Sequence, residues 1–210
     1  MDSFFRPDNP FSRFMTQVFR LIILNVVFIV TSLPVFTIGA GLTGLYAALL
    51  WREDDDGHTL GIYFSSFKKN FRQATLVWVP ALALGAFFSW ELYLVFHVLD
   101  PSFKLLQIPV WLMLFFVVSV LLYAFPLIAR YEEKTGQLLK NCVLISVGNI
   151  PVTILFLVIL FLLLDFGLHN GTVMVVLFSI FLFMGFSLLI LIFSFYLRRW
   201  VFPKLEKTDH

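Results

Sequence analysis

Hydrophobic and polar positions along this chain separate into long apolar runs joined by short polar stretches. The first run lies between Arg20 and Arg52 and contains no charged residue. About 20 apolar residues suffice to cross a bilayer. The run is interrupted by Pro34, Gly39, Gly41 and Gly44, with Ser32, Thr37 and Thr43 among them. Asn9-Pro10 suits a helix start, because Asn caps and Pro fits the first turn. From Phe11 the pattern predicts a helix that begins at the membrane surface and enters it, and Pro34 ends or kinks that helix. The Gly-rich stretch 39–44 either turns the chain or lets another helix pack closely. Residues 42–51 then resume as a short helix ending at Trp51, a residue type that anchors at the interface.

After an acidic loop, Leu60, Phe64, Phe67 and Phe71 recur at spacings of four, three and four, while Ser65, Ser66, Lys68, Lys69 and Arg72 fill the other side. This predicts an amphipathic helix lying in the interface. Residues 74–99 and 106–130 predict spans, with Pro80 early in the first and Pro126 late in the second. Residues 132–149 predict a second amphipathic helix, with Leu138, Leu139, Cys142 and Val143 on one side. Residues 150–168 and 172–197 complete the spans, joined by a turn from Asp165 to Gly171, and Arg198-Arg199-Trp200 closes the last.

Composition agrees. Of 210 residues, 60% are hydrophobic and 13% charged, with a mean hydropathy of +0.93; a soluble domain carries about 25% charged residues. The fold class expected is all-α, a polytopic membrane helix bundle forming a single membrane domain over 1–210. The lone Cys142 excludes an intrachain disulfide and a cysteine-based metal cluster. A net charge of +2 gives no case for a nucleic-acid partner; membrane lipids are the expected surroundings. Lys and Arg near helix ends set topology. If residues 11–51 form a hairpin with the N-terminus inside, 14 Lys and Arg are cytoplasmic and only Lys104 is outside; if 21–51 is one span, the better split is 11 to 4. The hairpin is preferred. It gives six helices (five long spans plus one short or re-entrant), two interfacial amphipathic helices, and both termini on the cytoplasmic side of the plasma membrane. The second helix would rise only about 18–22 Å against a hydrocarbon core of about 30 Å.

A weak internal repeat relates 60–99 to 131–168. Shifted by 71 residues, Lys69-Asn70 falls on Lys140-Asn141, Pro80 on Pro151 and Thr75 on Ser146.

Several blocks are more specific. Asn9-Pro10-Phe11 with Arg13-Phe14, Asn25, Ser32-Leu33-Pro34-Val35-Phe36-Thr37-Ile38-Gly39-Ala40 and Leu45-Tyr46 resemble the opening of the YesL family. Phe67-Lys68-Lys69-Asn70-Phe71-Arg72-Gln73-Ala74-Thr75 resembles its next block, and Phe125-Pro126-Leu127, Ala129-Arg130-Tyr131-Glu132 and Leu139-Lys140-Asn141 its third. The resemblance implies a bacterial membrane protein. It also implies a place in carbohydrate utilisation, since members are often encoded beside sugar-uptake ABC transporters and two-component sensors. It carries over no catalytic or ligand residue.

No Gly-x-Ser-x-Gly, His-Glu-x-x-His, P-loop or dinucleotide fingerprint is present. No catalytic residue, cofactor or metal is therefore expected, and His58, His97, His169 and His210 stand without a second ligand at helical spacing. Glu53, Asp54, Asp55 and Asp56 with His58 lack the spacing of a calcium loop and read as a solvated loop. Glu91 is the one carboxylate clearly inside an apolar span, and such residues are costly in hydrocarbon. It is a candidate for ligand or partner contact, weighed against simple local satisfaction. Asn25, Ser32, Thr37 and Thr43 are candidates to line a polar pocket at the hairpin break; alternatively they re-satisfy backbone groups freed by Pro34. Lys68, Lys69, Arg72, Lys134 and Lys140 are candidates to dock a cytoplasmic partner or anionic headgroups. The expected function is a non-enzymatic accessory membrane protein of carbohydrate utilisation, partnered by subunits of a sugar ABC importer or by a sensor kinase. The alternative is a transporter or substrate-capture subunit for an oligosaccharide or other small solute.

Overall fold

The computed structural model describes residues 10–50, 59–98, 105, 107–203 and 205. Among them every regular element is helical. The acidic loop with His58, the interfacial Trp51, the Asn9 cap, Lys104 and His210 lie outside the described residues.

Helix α1 spans Pro10–Thr31. It stops just before Ser32-Leu33-Pro34. Pro34 is extended (ψ 113°), and a single 3₁₀ turn, Val35–Thr37, leads into α2, Ile38–Leu50. The second helix thus starts four residues earlier than the sequence predicts. The glycines do not turn the chain; they sit inside α2 and permit close packing. Ideal Cβ atoms built on them would lie 2.7 Å from the Trp78 Cβ at Gly39, 2.8 Å from the Ser32 Oγ at Gly41 and 2.9 Å from the Tyr63 carbonyl at Gly44. Nearly every residue of α2 is buried, enclosed by α1, α3, α4 and α8. At 13 residues it rises about 20 Å, too short for ~30 Å of hydrocarbon. Surrounding protein, not lipid, satisfies it.

Helix α3 runs unbroken over Thr59–His97. The separate amphipathic helix expected before residue 74 is therefore corrected: its residues form the first third of one 39-residue helix, about 58 Å along its axis. Pro80 is accommodated inside it. Of the apolar stripe that suggested an interfacial face, Phe67 and Phe71 pack against the core while Leu60 and Phe64 stay exposed; the residue buried beside them is Tyr63, whose hydroxyl bonds Thr31 at 2.6 Å and on which Phe67 stacks. Helix α4 is Gln107–Arg130, and its last turns, Tyr123 to Ile128, are buried in the core.

Helix α5, Thr135–Gly148, is followed by α6, Ile150–His169, after a bend of 89°. Of its predicted apolar side, Leu138 and Cys142 are buried together with Ile145, whereas Leu139 is exposed along with Leu144 and Val147. The bend is held by a chain of hydrogen bonds. Tyr123 Oη meets Thr153 Oγ1 (2.9 Å), Thr153 Oγ1 donates to the Asn149 carbonyl (3.0 Å), and Tyr196 Oη donates to Asn149 Oδ1 (3.0 Å). The two arms of the sequence repeat thus differ in shape, one continuous through Pro80 and the other bent just before Pro151.

Asn170 caps α7, Gly171–Ile180, its side chain accepting from Thr172 and Val173 N–H. A π-helical turn, Phe181–Gly185, leads into α8, Phe186–Tyr196, and a second, Leu197–Val201, follows it. Four helical stretches are long and apolar enough to cross a bilayer: α1, α3, α4 and the α7–α8 rod. The bent α5–α6 pair makes a fifth if counted as one span. The described residues form an all-helical structure with the apolar spans of a membrane protein.

Candidate functional site

Two polar blocks far apart in the chain meet where α3 passes the end of α4. Lys69 Nζ on α3 donates to Glu132 Oε1, just beyond Arg130. One turn on, Gln73 Nε2 donates to the Glu133 carbonyl (2.8 Å), while Asn141 Nδ2 on α5 donates to the Glu133 carboxylate (2.8 Å). Asn70 is steadied by Ser66 Oγ at 3.1 Å. Arg130 lays its guanidinium 4.3 Å above the Phe202 ring, a cation–π contact with the end of the last helix. Between these elements lies an open cavity of about 700 Å³ edged by Ser65, Ser66, Lys69, Asn70, Arg130 and Glu132. A neighbouring cavity of about 410 Å³ carries Arg72, Glu133 and Lys134.

The hydrogen bond from Lys69, and then its charge, holds the Glu132 carboxyl below the usual carboxylate range. A carboxyl depressed in this way favours the folded state above its ordinary pKa. That contribution fades as pH falls through the folded pKa. Both side chains are exposed, so solvent keeps it small. The groove offers cations, carboxylates, hydroxyls and amides, a chemistry suited to recognition of a charged or polar partner.

Of the basic residues singled out in the sequence, Lys69, Arg72 and Lys134 lie on these cavities, and Lys68 and Lys140 are exposed on α3 and α5. Glu132, Glu133, Gln73, Asn141 and Arg130 were missed as site residues. The available signal was that all five fall within or beside the blocks that carry the family resemblance.

The structure does not assemble the proposed polar pocket at the hairpin break. Thr37 Oγ1 donates to the carbonyls of Thr31 and Pro34 (both 2.6 Å), and Thr43 Oγ1 donates to the Gly39 carbonyl (2.9 Å). These hydroxyls re-satisfy local backbone, as expected around a proline break. Ser32 Oγ is buried beside Gly41 with no hydrogen-bond partner among the described residues. Asn25 points elsewhere altogether. Fully buried, it donates through Nδ2 to the Phe181 and Leu182 carbonyls (2.9 Å each) and accepts from Ser187 N–H at Oδ1 (3.2 Å). It therefore clamps the π-helical turn of the last rod. Glu91, in the last third of α3, is half-buried and makes no hydrogen bond among the described residues. His97 and His169 each contact a carbonyl one turn back.

Cys142 is fully buried on α5, where burial, then the charge of Glu133, pushes its thiol pKa up to about 12.

The described geometry joins the blocks that also match known proteins. The family model described as "Protein of unknown function, DUF624" matches residues 21–92, from α1 through most of α3. The "Uncharacterized protein YesL" of Bacillus subtilis (strain 168) is 26% identical over 153 residues, covering 70% of this chain and 71% of that protein. No solved structure matches the chain. The match over α1–α3 and the 26% identity along most of both chains support assignment of this protein to the YesL family.

Proposed function

We propose that the chain is a non-enzymatic accessory membrane protein of carbohydrate utilisation. In this reading the polar groove between α3 and the α4–α5 connection docks a cytoplasmic component of a sugar ABC importer or a sensor kinase. The observation that carries it is the Lys69–Glu132 and Gln73–Glu133 junction, which fixes an array of exposed cations beside a cavity of about 700 Å³. The first third of α3 supports it, because a helix about 58 Å long exceeds the hydrocarbon core and projects its basic end into water. The test is capture of partners from native membranes by the tagged protein. The wild type is expected to retain a transporter or kinase component. The Lys68→Glu/Arg72→Glu variant is expected to lose it at least five-fold with its melting temperature unchanged. Capture without either class of component, or unaltered capture by the variant, overturns the proposal. A small-solute capture subunit is the second reading, favoured by the volume and mixed lining of the same cavity.

The topology that goes with this function has six helices. Helix α2 is the short, protein-enclosed member, α5 lies along the interface, and both termini are cytoplasmic in the plasma membrane. The 14-to-1 charge split supports it. A reporter cysteine at Ser3 tests it, because Cys142, buried and with its thiol pKa near 12, presents almost no thiolate at neutral pH. The unaltered chain is expected to resist maleimide until denatured. The Ser3→Cys chain is expected to label only in permeabilised cells. Labelling of intact cells would put the N-terminus outside and remove the hairpin.

A further inference from the structure

Helix α6 is loosely held. Among the described residues its closest backbone packing is against its chain neighbours α5 and α7, and side chains alone tie it to α4 and α8. Near the bend it is pinned by the Tyr123–Thr153 and Tyr196–Asn149 hydrogen bonds. Further along, the Phe156 ring meets Phe193 edge-on at 4.6 Å. Two cavities follow one another along this α6–α8 seam. The lower, about 440 Å³, is edged by Asn149, Val152, Tyr196 and Trp200. The upper, about 330 Å³ and half-enclosed, is bounded by Trp78, Val118, Phe125, Leu157, Ile190 and Phe193, and its lining is almost wholly apolar.

Their depth can be read from the helices. Phe125 lies five residues before Arg130, Phe193 five before Arg198, Trp78 six after Arg72 and Phe156 seven after Asn149. At 1.5 Å per residue the upper cavity lies about 8–10 Å beyond the polar ends, within one leaflet's hydrocarbon. The lower cavity lies at the level of those ends, edged by the exposed Trp200, which the exposed Arg199 directly precedes on the same helix. An apolar void at that depth does not hold water, and an empty one forfeits dispersion contacts. Basic residues and a Trp at the interface select anionic headgroups.

We propose that the seam between α6 and α8 is a lipid site. The upper cavity holds one acyl chain of an anionic phospholipid from the leaflet that meets the basic helix ends, with its headgroup over the lower cavity beside Arg199 and Trp200. A second copy of the chain fits less well, because the upper cavity is apolar inside while Asn149, Tyr196 and Trp200 put polar groups at the lower rim.

Native mass spectrometry of the full chain in mild detergent tests this, with palmitoyl-oleoyl phosphatidylglycerol and palmitoyl-oleoyl phosphatidylcholine as probes. The wild type is expected to retain one phosphatidylglycerol at least five-fold more than phosphatidylcholine. Leu157→Phe, and separately Val118→Phe, fill the upper cavity and are expected to lower that retention at least five-fold while the protein stays monodisperse. Arg199→Gln is expected to cut the preference below two-fold while lipid is still bound. Equal retention by a folded cavity-filling variant overturns the site. So does a lipid-free dimer in which the partner copy covers the seam.

Discussion

Adding one methyl group at Gly39 and one at Gly44 is expected to cost this protein more stability than any other change of that size. The ideal Cβ at Gly39 lies 2.7 Å from the Trp78 Cβ and 2.9 Å from the Ala74 carbonyl oxygen, and that at Gly44 lies 2.9 Å from the Tyr63 carbonyl oxygen. The opposing atoms are backbone or first side-chain atoms. They cannot swing away as the end of a flexible side chain can, so α2 must move off α3. Overpacking of this kind costs about 1–3 kcal/mol per site. For a chain of this size each kcal/mol is worth about 2–4 °C, so Gly39→Ala/Gly44→Ala is expected to melt roughly 5–20 °C below wild type in the same detergent. Gly85→Ala is the control. It lies in α3 with nothing within 4 Å of the added methyl group, and removal of a helical glycine there is expected to leave stability unchanged or raise it by about 0.5–1 kcal/mol. A double variant that melts with wild type would mean that α2 does not pack on α3 through these glycines.

Replacing Asn25 is the second large effect. A π-helical turn carries i→i+5 bonds and leaves neighbouring backbone groups without their regular partners. At Phe181–Gly185 the Asn25 amide supplies what is missing, meeting two carbonyls and one N–H at 2.9–3.2 Å. Asn25→Ala leaves three backbone groups without this partner, the buried Ser187 N–H and the part-buried Phe181 and Leu182 carbonyls. A buried group left unpaired costs about 1–3 kcal/mol, while single side-chain bonds between membrane helices average about 0.6 kcal/mol. A loss of about 2–4 kcal/mol is the expected sum, limited by partial annealing of the turn toward α-helix. Ser187→Ala separates the backbone bond from the side chain. Its N–H still reaches Asn25, and its own hydroxyl has no partner among the described residues, so it is expected to lose less than about 1 kcal/mol. Thermal unfolding of both variants decides the matter. Equal, small losses would show that the clamp does not hold the π turn.

Both effects concern residues that the sequence marks but does not explain. Gly39, Gly41 and Gly44 stand out in an apolar run, yet a glycine cluster is compatible with a turn and with close helix packing. The choice depends on what lies opposite, and only the position of α3 supplies that. Asn25 is conspicuous as a polar residue between apolar ones. Its partners are more than 150 residues away, and the signal nearest in sequence, Ser32 to Thr43, led to the wrong companions. Lys69 and Glu132 are likewise 63 residues apart, and nothing in their spacing joins them. The amphipathic pattern from Leu60 to Phe71 was legible as a helix. That it continues through Pro80 was not, because the same pattern also describes a helix lying flat on a membrane.

The chain by itself determined the apolar runs, the stop before Pro34 and the membrane class. All of these follow from local sterics and from the transfer of side chains out of water, which act over a few residues. Tertiary structure alone decided which helix face meets lipid and which meets protein. It also decided that the short α2 is enclosed, that Asn25 serves the last rod, and that the polar ends of α3, α4 and α5 share one groove. In hydrocarbon there is no hydrophobic force to sort one apolar face from another. The sorting falls to close packing at glycines and to a few buried hydrogen bonds, and neither can be read until the helices are placed.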